Sequence, residues 1–434
     1  MLPALPAPTT LRRFLRATAA APLAAGLALV PLPVPAHAAS APIPASYFGL
    51  HHAGLHADAS RGFPQTDVGS VRLWDNGVSW REIERSPGDF SWSRLDALVA
   101  KARNHGASVL LVLGQTPTFH STRSGVPGAY GRGASAMPTK QSWQRYVTAV
   151  ADRNTSTWGG SVALQVWNEA NAVPYWSGTP RQMAQLTAWT RQALNAAGSS
   201  AHLVGPAMVT RLSSQQAWIN TFYGQRIGGR NVSTYVDALS FQLYPVATGS
   251  PEASMTLLRQ VRAILARHRV AKPIYNTEIN YGLVGGPQAG AGARRISSAR
   301  QVGNVLRTYV LNAQNRVGRV YWYAWDLQGF ANTKMVLSDG ITTTPAGRAF
   351  GTAKRWLIGT RPAGCSSNRA GTYTCTFRIS GEVRRVVWNP RKRVAVRAPA
   401  GTTAYVTGND VTHAARKGTR LYVGQVPVLI RGSR

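Results

Sequence analysis

The sequence predicts an α/β fold, a (β/α)8 TIM barrel, followed by a small C-terminal β-sandwich-like domain. Three observations carry that expectation. Eight short apolar runs of strand length recur between Tyr47 and Trp325, each followed by a stretch with helical spacing. Several of those stretches open on a Ser-Pro or Thr-Pro pair, suited to an N-cap and a first helical residue. After Gly359 the helical spacing stops, and short strand-like runs divided by Gly, Pro and Asn take over. A doubly wound sheet is the other architecture that alternating β and α elements permit. No Gly-x-Gly-x-x-Gly turn follows any of the strands, which argues against it.

Taken in order, the chain opens on an expected export leader over residues 1–38. Arg12, Arg13 and Arg16 form its basic start, Ala17 to Val30 its apolar stretch, and Ala36-His37-Ala38 a cleavage site before Ala39. The Arg12-Arg13-Phe14-Leu15-Arg16 run leaves both the general and the twin-arginine export routes open. No later apolar run is long enough to span a bilayer, so the expected product is secreted and extracellular, free or wall-associated. The barrel is expected over residues 39–359. Its strand candidates are Tyr47–Leu50, Ser70–Leu73, Ser108–Leu113, Val162–Trp167, His202–Gly205, Ala238–Leu243, Pro273–Thr277 and Val320–Trp325. Among the helices, Leu95, Leu98, Val99 and Ala102 line one face of a segment opening at Ser93 and stopped by Gly106. Thr179-Pro180, Ser250-Pro251 and Thr344-Pro345 mark three further helix starts. Residues 360–434 hold the strand candidates Tyr373–Ile379, Val383–Trp388, Val394–Val396, Thr402–Val406, Arg420–Val423 and Val426–Ile430.

In such a barrel the strand C-termini build one rim. That rim collects His51, His52, Arg72, Trp74, Asp75, Gln115, His120, Asn168, Glu169, Gln242, Tyr244, Glu278, Trp325 and Asp326. Two of the six glutamates, Glu169 and Glu278, end strand-like runs, where a buried strand has no use for a carboxylate unless it faces a cavity. Paired carboxylates on neighbouring strand ends are what cleavage of a glycosidic bond needs. Taken singly, each is as readily a helix N-terminal carboxylate or a satisfied core acid. The loop from Thr116 to Pro138 is long and glycine-rich, fit to shape a cleft, and Tyr175 and Trp176 are candidate sugar platforms beside Trp325. His51, His52 and His56 lack the His-Glu-x-x-His spacing, so neither a metal nor another cofactor is expected.

Cys365 and Cys375 lie close together, and an oxidising compartment favours a bridge between them. Lys and Arg number 49 against 16 acids, a net charge of +33. Such a field attracts anionic polymers, an acidic cell-envelope glycan among them. Nucleic acid is not an expected partner, because no basic run interleaves with stacking aromatics.

These residues together resemble a clan A glycoside hydrolase, most closely the family 39, β-xylosidase-like group. The likeness rests on Val71-Arg72-Leu73-Trp74-Asp75, Gly114-Gln115-Thr116-Pro117, Val166-Trp167-Asn168-Glu169-Ala170-Asn171, Tyr175-Trp176-Ser177-Gly178-Thr179 and Thr277-Glu278. The β-rich tail closing on Gln425-Val426-Pro427-Val428-Leu429 extends it over most of residues 45–434. The resemblance implies a retaining mechanism with Glu169 as acid/base and Glu278 as nucleophile. It implies that Asn168 binds the substrate 2-hydroxyl, and that Arg72 and Tyr244 hold the nucleophile. Near Gln242, where relatives often carry a histidine, this chain departs from the pattern. The expected substrate-binding set is Asn168, Arg72, Trp74, Tyr244, Gln242, Trp325, His52 and Trp176, and the expected substrate a polysaccharide or oligosaccharide. A transglycosylase or a non-catalytic glycan-binding barrel on the same scaffold are the alternatives.

Overall fold

The computed structural model describes residues 41–56, 63–282, 296–326 and 332–433, so the leader expected over 1–38 lies outside the described residues. Eight parallel strands close into a barrel. They are β1 (Phe48–Leu50), β2 (Ser70–Leu73), β3 (Ser108–Val112), β4 (Val162–Gln165), β5 (Leu203–Val209), β6 (Ala238–Gln242), β7 (Ile274–Ile279) and β8 (Val317–Trp322). Each pairs with its neighbours in the chain, and β1 closes on β8 through Phe48–Val320, Gly49–Tyr321 and Leu50–Trp322. Among the described residues, seven helices of more than one turn and a half surround it: α1 (Ser93–Asn104), α2 (Lys140–Ser156), α3 (Pro180–Ala196), α4 (Ser213–Tyr223), α5 (Pro251–Arg267), α6 (Ser298–Gln314) and α7 (Pro345–Leu357). Among the described residues, β1 is followed not by a full helix but by one 3-10 turn, Ala53–His56.

Helix starts follow local chemistry. Thr179 accepts the Gln182 amide and receives the Gln182 side chain in return, with Pro180 at the first helical position. Thr344 caps α7 by accepting the Gly347 amide. Ser250 precedes Pro251 as expected, yet its side chain makes no capping bond. On α1 the expected stripe, Leu95, Leu98, Val99 and Ala102, is the buried one. Each Leu or Val there contributes roughly 1.5–3 kcal/mol by leaving water.

Strand alternation sorts side chains into two layers. Val109, Leu111, Val162 and Leu164 join the large apolar layer beneath the helices. Leu110, Ala163, Val204, Ala238, Tyr275 and Tyr321 form a separate cluster, one from each of six strands, that plugs the barrel interior. Gly49 makes room for it: a Cβ there would stand 2.5 Å from the Tyr321 ring. Above this plug the inward positions turn polar.

The C-terminal region is a six-stranded antiparallel sheet with a two-stranded ribbon. The sheet runs β9–β10–β11–β16–β13–β14, made of Arg361–Ser367, Tyr373–Ile379, Glu382–Trp388, Val428–Ser433, Thr402–Val406 and Thr412–Ala414. The ribbon pairs β12 (Val394–Arg397) with β15 (Arg420–Val423). Val387, Ala398, Leu421, Val423, Val428 and Ile430 fill the space between. Cys365 and Cys375 are cross-strand partners and are joined by a disulfide. The sheet packs on the barrel helices: Trp388 Nε1 donates to Glu252 at 2.9 Å, Gln314 Nε2 to the Thr376 carbonyl at 2.6 Å, and Arg384 to the Trp356 carbonyl at 2.7 Å.

Candidate active site

The polar layer above the apolar plug is one connected network. Arg72 on β2 is fully buried and reaches β4, the segment just after it, and β7. Its Nε donates to Gln165 Oε1 at 2.7 Å, Nη2 to Asn168 Oδ1 at 2.7 Å, and Nη1 to Glu278 Oε1 at 2.6 Å. Gln165 Nε2 in turn donates to Ser240 Oγ at 2.6 Å, and that hydroxyl shares a bond with Thr277 Oγ1 at 2.6 Å. A buried guanidinium needs its donors matched, and here they are matched by the residues that carry the site. Asn168 Oδ1 also accepts from Gln242 Nε2 at 3.1 Å, which fixes the amide and leaves its Nδ2 as a donor.

Glu278 lies within β7, not past its end. Thr277 and Glu278 are consecutive, yet Thr277 reaches Ser240 and Glu278 reaches Arg72, both inside the barrel. A regular strand would send them to opposite faces. The register against β8 shifts between Asn276 and Ile279, and against β6 between Phe241 and Gln242, and this irregularity turns the carboxylate inward. Tyr244 completes the setting by donating its hydroxyl to Glu278 Oε2 at 3.1 Å.

Glu169 follows β4 with φ 46°, and Asp75 (φ 61°) and Gln115 (φ 53°) hold the same left-handed conformation after β2 and β3. Non-glycine residues rarely adopt it, and three at successive strand ends concentrate backbone strain on one rim. Burial pushes the Glu169 carboxyl well above the usual carboxylate range, and the charge of Glu278 adds to the push. Arg72 and Arg211 act against it. At Glu278 burial also raises the carboxyl and outweighs the lowering expected from a guanidinium and a tyrosine. Those two direct bonds favour the charged form at Glu278, whereas at Glu169 the opposing guanidiniums of Arg72 and Arg211 act through their charge.

A third carboxylate completes the rim. Asp75 accepts the hydroxyls of both Tyr130 and Tyr323, the latter at 2.7 Å. Tyr130 comes from the glycine-rich loop after β3 and packs edge-on against Trp74, with centroids 5.1 Å apart. Burial and the Asp75 charge raise both tyrosine hydroxyls well above their ordinary range, so they donate throughout the working pH range.

No family model matches the sequence, and no curated protein does. Solved structures do. A GH39 β-xylosidase from Caulobacter crescentus matches with a TM-score of 0.61 at 15% identity, over 92% of this chain and 98% of that one. The GH39 enzyme from Xanthomonas axonopodis pv. citri matches at 0.59 and 16%, over 94% and 100%. A GH30 endoxylanase from Clostridium papyrosolvens matches at 0.58 and 14%, over 91% and 98%. This chain shares their fold.

Within that fold, Arg72, Asn168, Glu278, Gln242 and Tyr244 are joined by direct bonds, with Glu169 next in the chain to Asn168 and within reach of the charge on Glu278. Trp74 borders the group through Tyr130. Three residues of the expected substrate-binding set are held in other contacts. Trp176 is 2% exposed, packed edge-on against Trp167 with its Nε1 on the Thr179 carbonyl, and offers no platform. Trp325 is 3% exposed and belongs to the apolar core, its backbone amide donating to the His51 carbonyl. His52 is buried against Asp326, at 3.3 Å, whose carboxylate also takes the amides of Ala53 and Gly54. His52 therefore ties the ends of β1 and β8 together. His120 stacks on Trp80 and pairs with Glu84, away from the Arg72 network. Besides Tyr244, the aromatics that border the acids are Tyr130, Tyr175 and Tyr323. For Tyr323 a signal existed: Tyr321 points into the barrel, so the inward alternation continues to 323. Tyr130 sits in a loop without periodicity and had none. Arg211, after β5, was also missed and lies near enough to Glu169 for their charges to interact.

Proposed function

We propose that this chain is a secreted glycoside hydrolase that cleaves a polysaccharide or oligosaccharide with retention of configuration. The observation that carries the reading is Arg72, which bonds Asn168 and Glu278 at once beside Glu169. In this reading the Glu278 carboxylate attacks the anomeric carbon while Glu169 gives its proton to the departing glycosidic oxygen. Glu169, now ionised, takes a proton from water, and the resulting hydroxide equivalent displaces Glu278 from the sugar. Asn168 Nδ2 is the donor for the sugar 2-hydroxyl. The burial that raises Glu169 supports its starting protonated. The β-xylosidase and endoxylanase among the structural neighbours make β-linked xylo-oligosaccharides the first substrates to try. Export through a leader removed before Ala39 belongs to the same proposal.

The test separates the two glutamates. Glu278→Ala is expected to abolish turnover even of aryl glycosides with activated leaving groups, because no glycosyl-enzyme forms. Glu169→Ala is expected to release one burst of aryl product and then to slow about 10²- to 10⁴-fold for want of a base. Azide is expected to restore its turnover and to yield a glycosyl azide of retained configuration. An unreactive Glu169→Ala, or an inverted azide, contradicts the assignment.

A further inference from the structure

The C-terminal region carries a positive surface that the catalytic reading does not use. After residue 359 the sequence has two acids, Glu382 and Asp410. Both are occupied. Glu382 pairs with Arg384 and Arg431, each at 2.8 Å, and Asp410 pairs with Arg355 of α7 at 2.6 Å. The ribbon β12–β15 and its flanks therefore present Arg391, Lys392, Arg393, Arg397 and Arg420, all exposed, with no neutralising carboxylate among these segments. Arg397 and Arg420 stand directly opposite each other in the ladder, an arrangement that destabilises a free ribbon by like-charge repulsion. Tyr422, 51% exposed, holds two of these cations: the Arg393 guanidinium lies 4.8 Å from its ring centroid and that of Arg420 5.3 Å. Cation–π contact orders two otherwise free side chains and leaves their N–H edges for an anion. Beside them runs a groove of about 800 Å³ between the first turn of α6 and the sheet. Thr407, Asn409 and Gln425 line it with neutral donors and acceptors, and no acid does among the described residues.

We propose that this ribbon and groove bind a carboxylate-bearing polysaccharide, with the arginines taking uronate groups and the neutral side chains taking sugar hydroxyls. A single-stranded nucleic acid is less well served. Base recognition needs free aromatic faces, and the exposed Tyr422 ring is already occupied by guanidinium. The site stands on the C-terminal surface alone and does not depend on the assignment of Glu169 and Glu278.

The experiment uses the full chain in affinity electrophoresis through polygalacturonate, a neutral xylan and a single-stranded oligonucleotide, at low and high salt. Polygalacturonate is expected to retard the wild type, and salt to weaken the effect because exposed charges are screened within about 10 Å at roughly 0.1 M. The triple variant Arg391→Ala, Arg393→Ala, Arg420→Ala is expected to bind at least about tenfold more weakly. Tyr422→Leu keeps every charge but releases the guanidiniums, and is expected to lose about threefold. Hydrolysis of a small aryl glycoside and the melting temperature should not change in either variant. Undiminished polygalacturonate binding by the triple variant overturns the proposal. So does tighter retention by the oligonucleotide, or a Tyr422→Leu protein indistinguishable from wild type, which would reduce the effect to net charge.

Discussion

Arg72 is the residue on which the candidate site turns, since its buried charge is matched by Glu278 and its remaining donors by Asn168 and Gln165. Removing one member of such a pair leaves the other uncompensated, at about 3–5 kcal/mol. For Arg72→Met we expect a folded but less stable protein, and a fall in kcat/KM of roughly 10²- to 10³-fold. The pH profile adds a signed test. In the proposed mechanism the acid limb reports ionisation of Glu278, and losing the guanidinium removes the largest influence that opposes the upward push of burial there. The acid limb should therefore move to higher pH, as a macroscopic property of the coupled pair. An unmoved limb would detach Arg72 from Glu278 in function. At this scale the sequence was informative where a polar residue ended an apolar run, as at Asn168, Glu169 and Glu278. At Trp176 and Trp325 it left the surroundings open, because an indole near a strand end reads the same whether it faces sugar or core; in the structure both are buried.

At the scale of elements, the barrel strands were legible because each is a short apolar run between breakers. Two C-terminal strands were not. Arg361–Ser367 contains Pro362 and Gly364 and is almost wholly exposed, and Thr412–Ala414 has three exposed residues. Such edge strands are held by the ladder and carry no apolar alternation of their own. In the first of them the Cys365–Cys375 bridge adds a covalent tie across ten residues. Reduction is expected to lower stability by about 2–3 kcal/mol, readable as a drop in melting temperature with thiol present. The join between α6 and the sheet makes another testable contact. A Cβ on Gly303 would stand 2.3 Å from the Gln425 carbonyl oxygen, so backbone must give way. Gly303→Ala is expected to cost about 1–3 kcal/mol by overpacking, in thermal unfolding. No loss would mean that the turn at Gln425 moves freely.

At the scale of the molecule, the barrel and the β-rich tail share buried chemistry. Glu252 on α5 accepts from Arg307 of α6 at 2.9 and 3.0 Å and from Trp388 of β11 at 2.9 Å. The tail is thereby fixed to the same helices that frame β6 and β7, the strands leading to Tyr244 and Glu278. What the whole arrangement is proposed to do reduces to one stereochemical statement: Glu278 forms a covalent bond to the sugar, so two inversions give net retention. The most direct measurement is NMR of the first-formed product released by the wild-type protein from a β-linked xylo-oligosaccharide or another glycoside it accepts, before mutarotation. The account predicts that the product appears with the anomeric configuration of the substrate. A product that appears inverted would contradict the nucleophile assignment of Glu278 and the retaining mechanism with it.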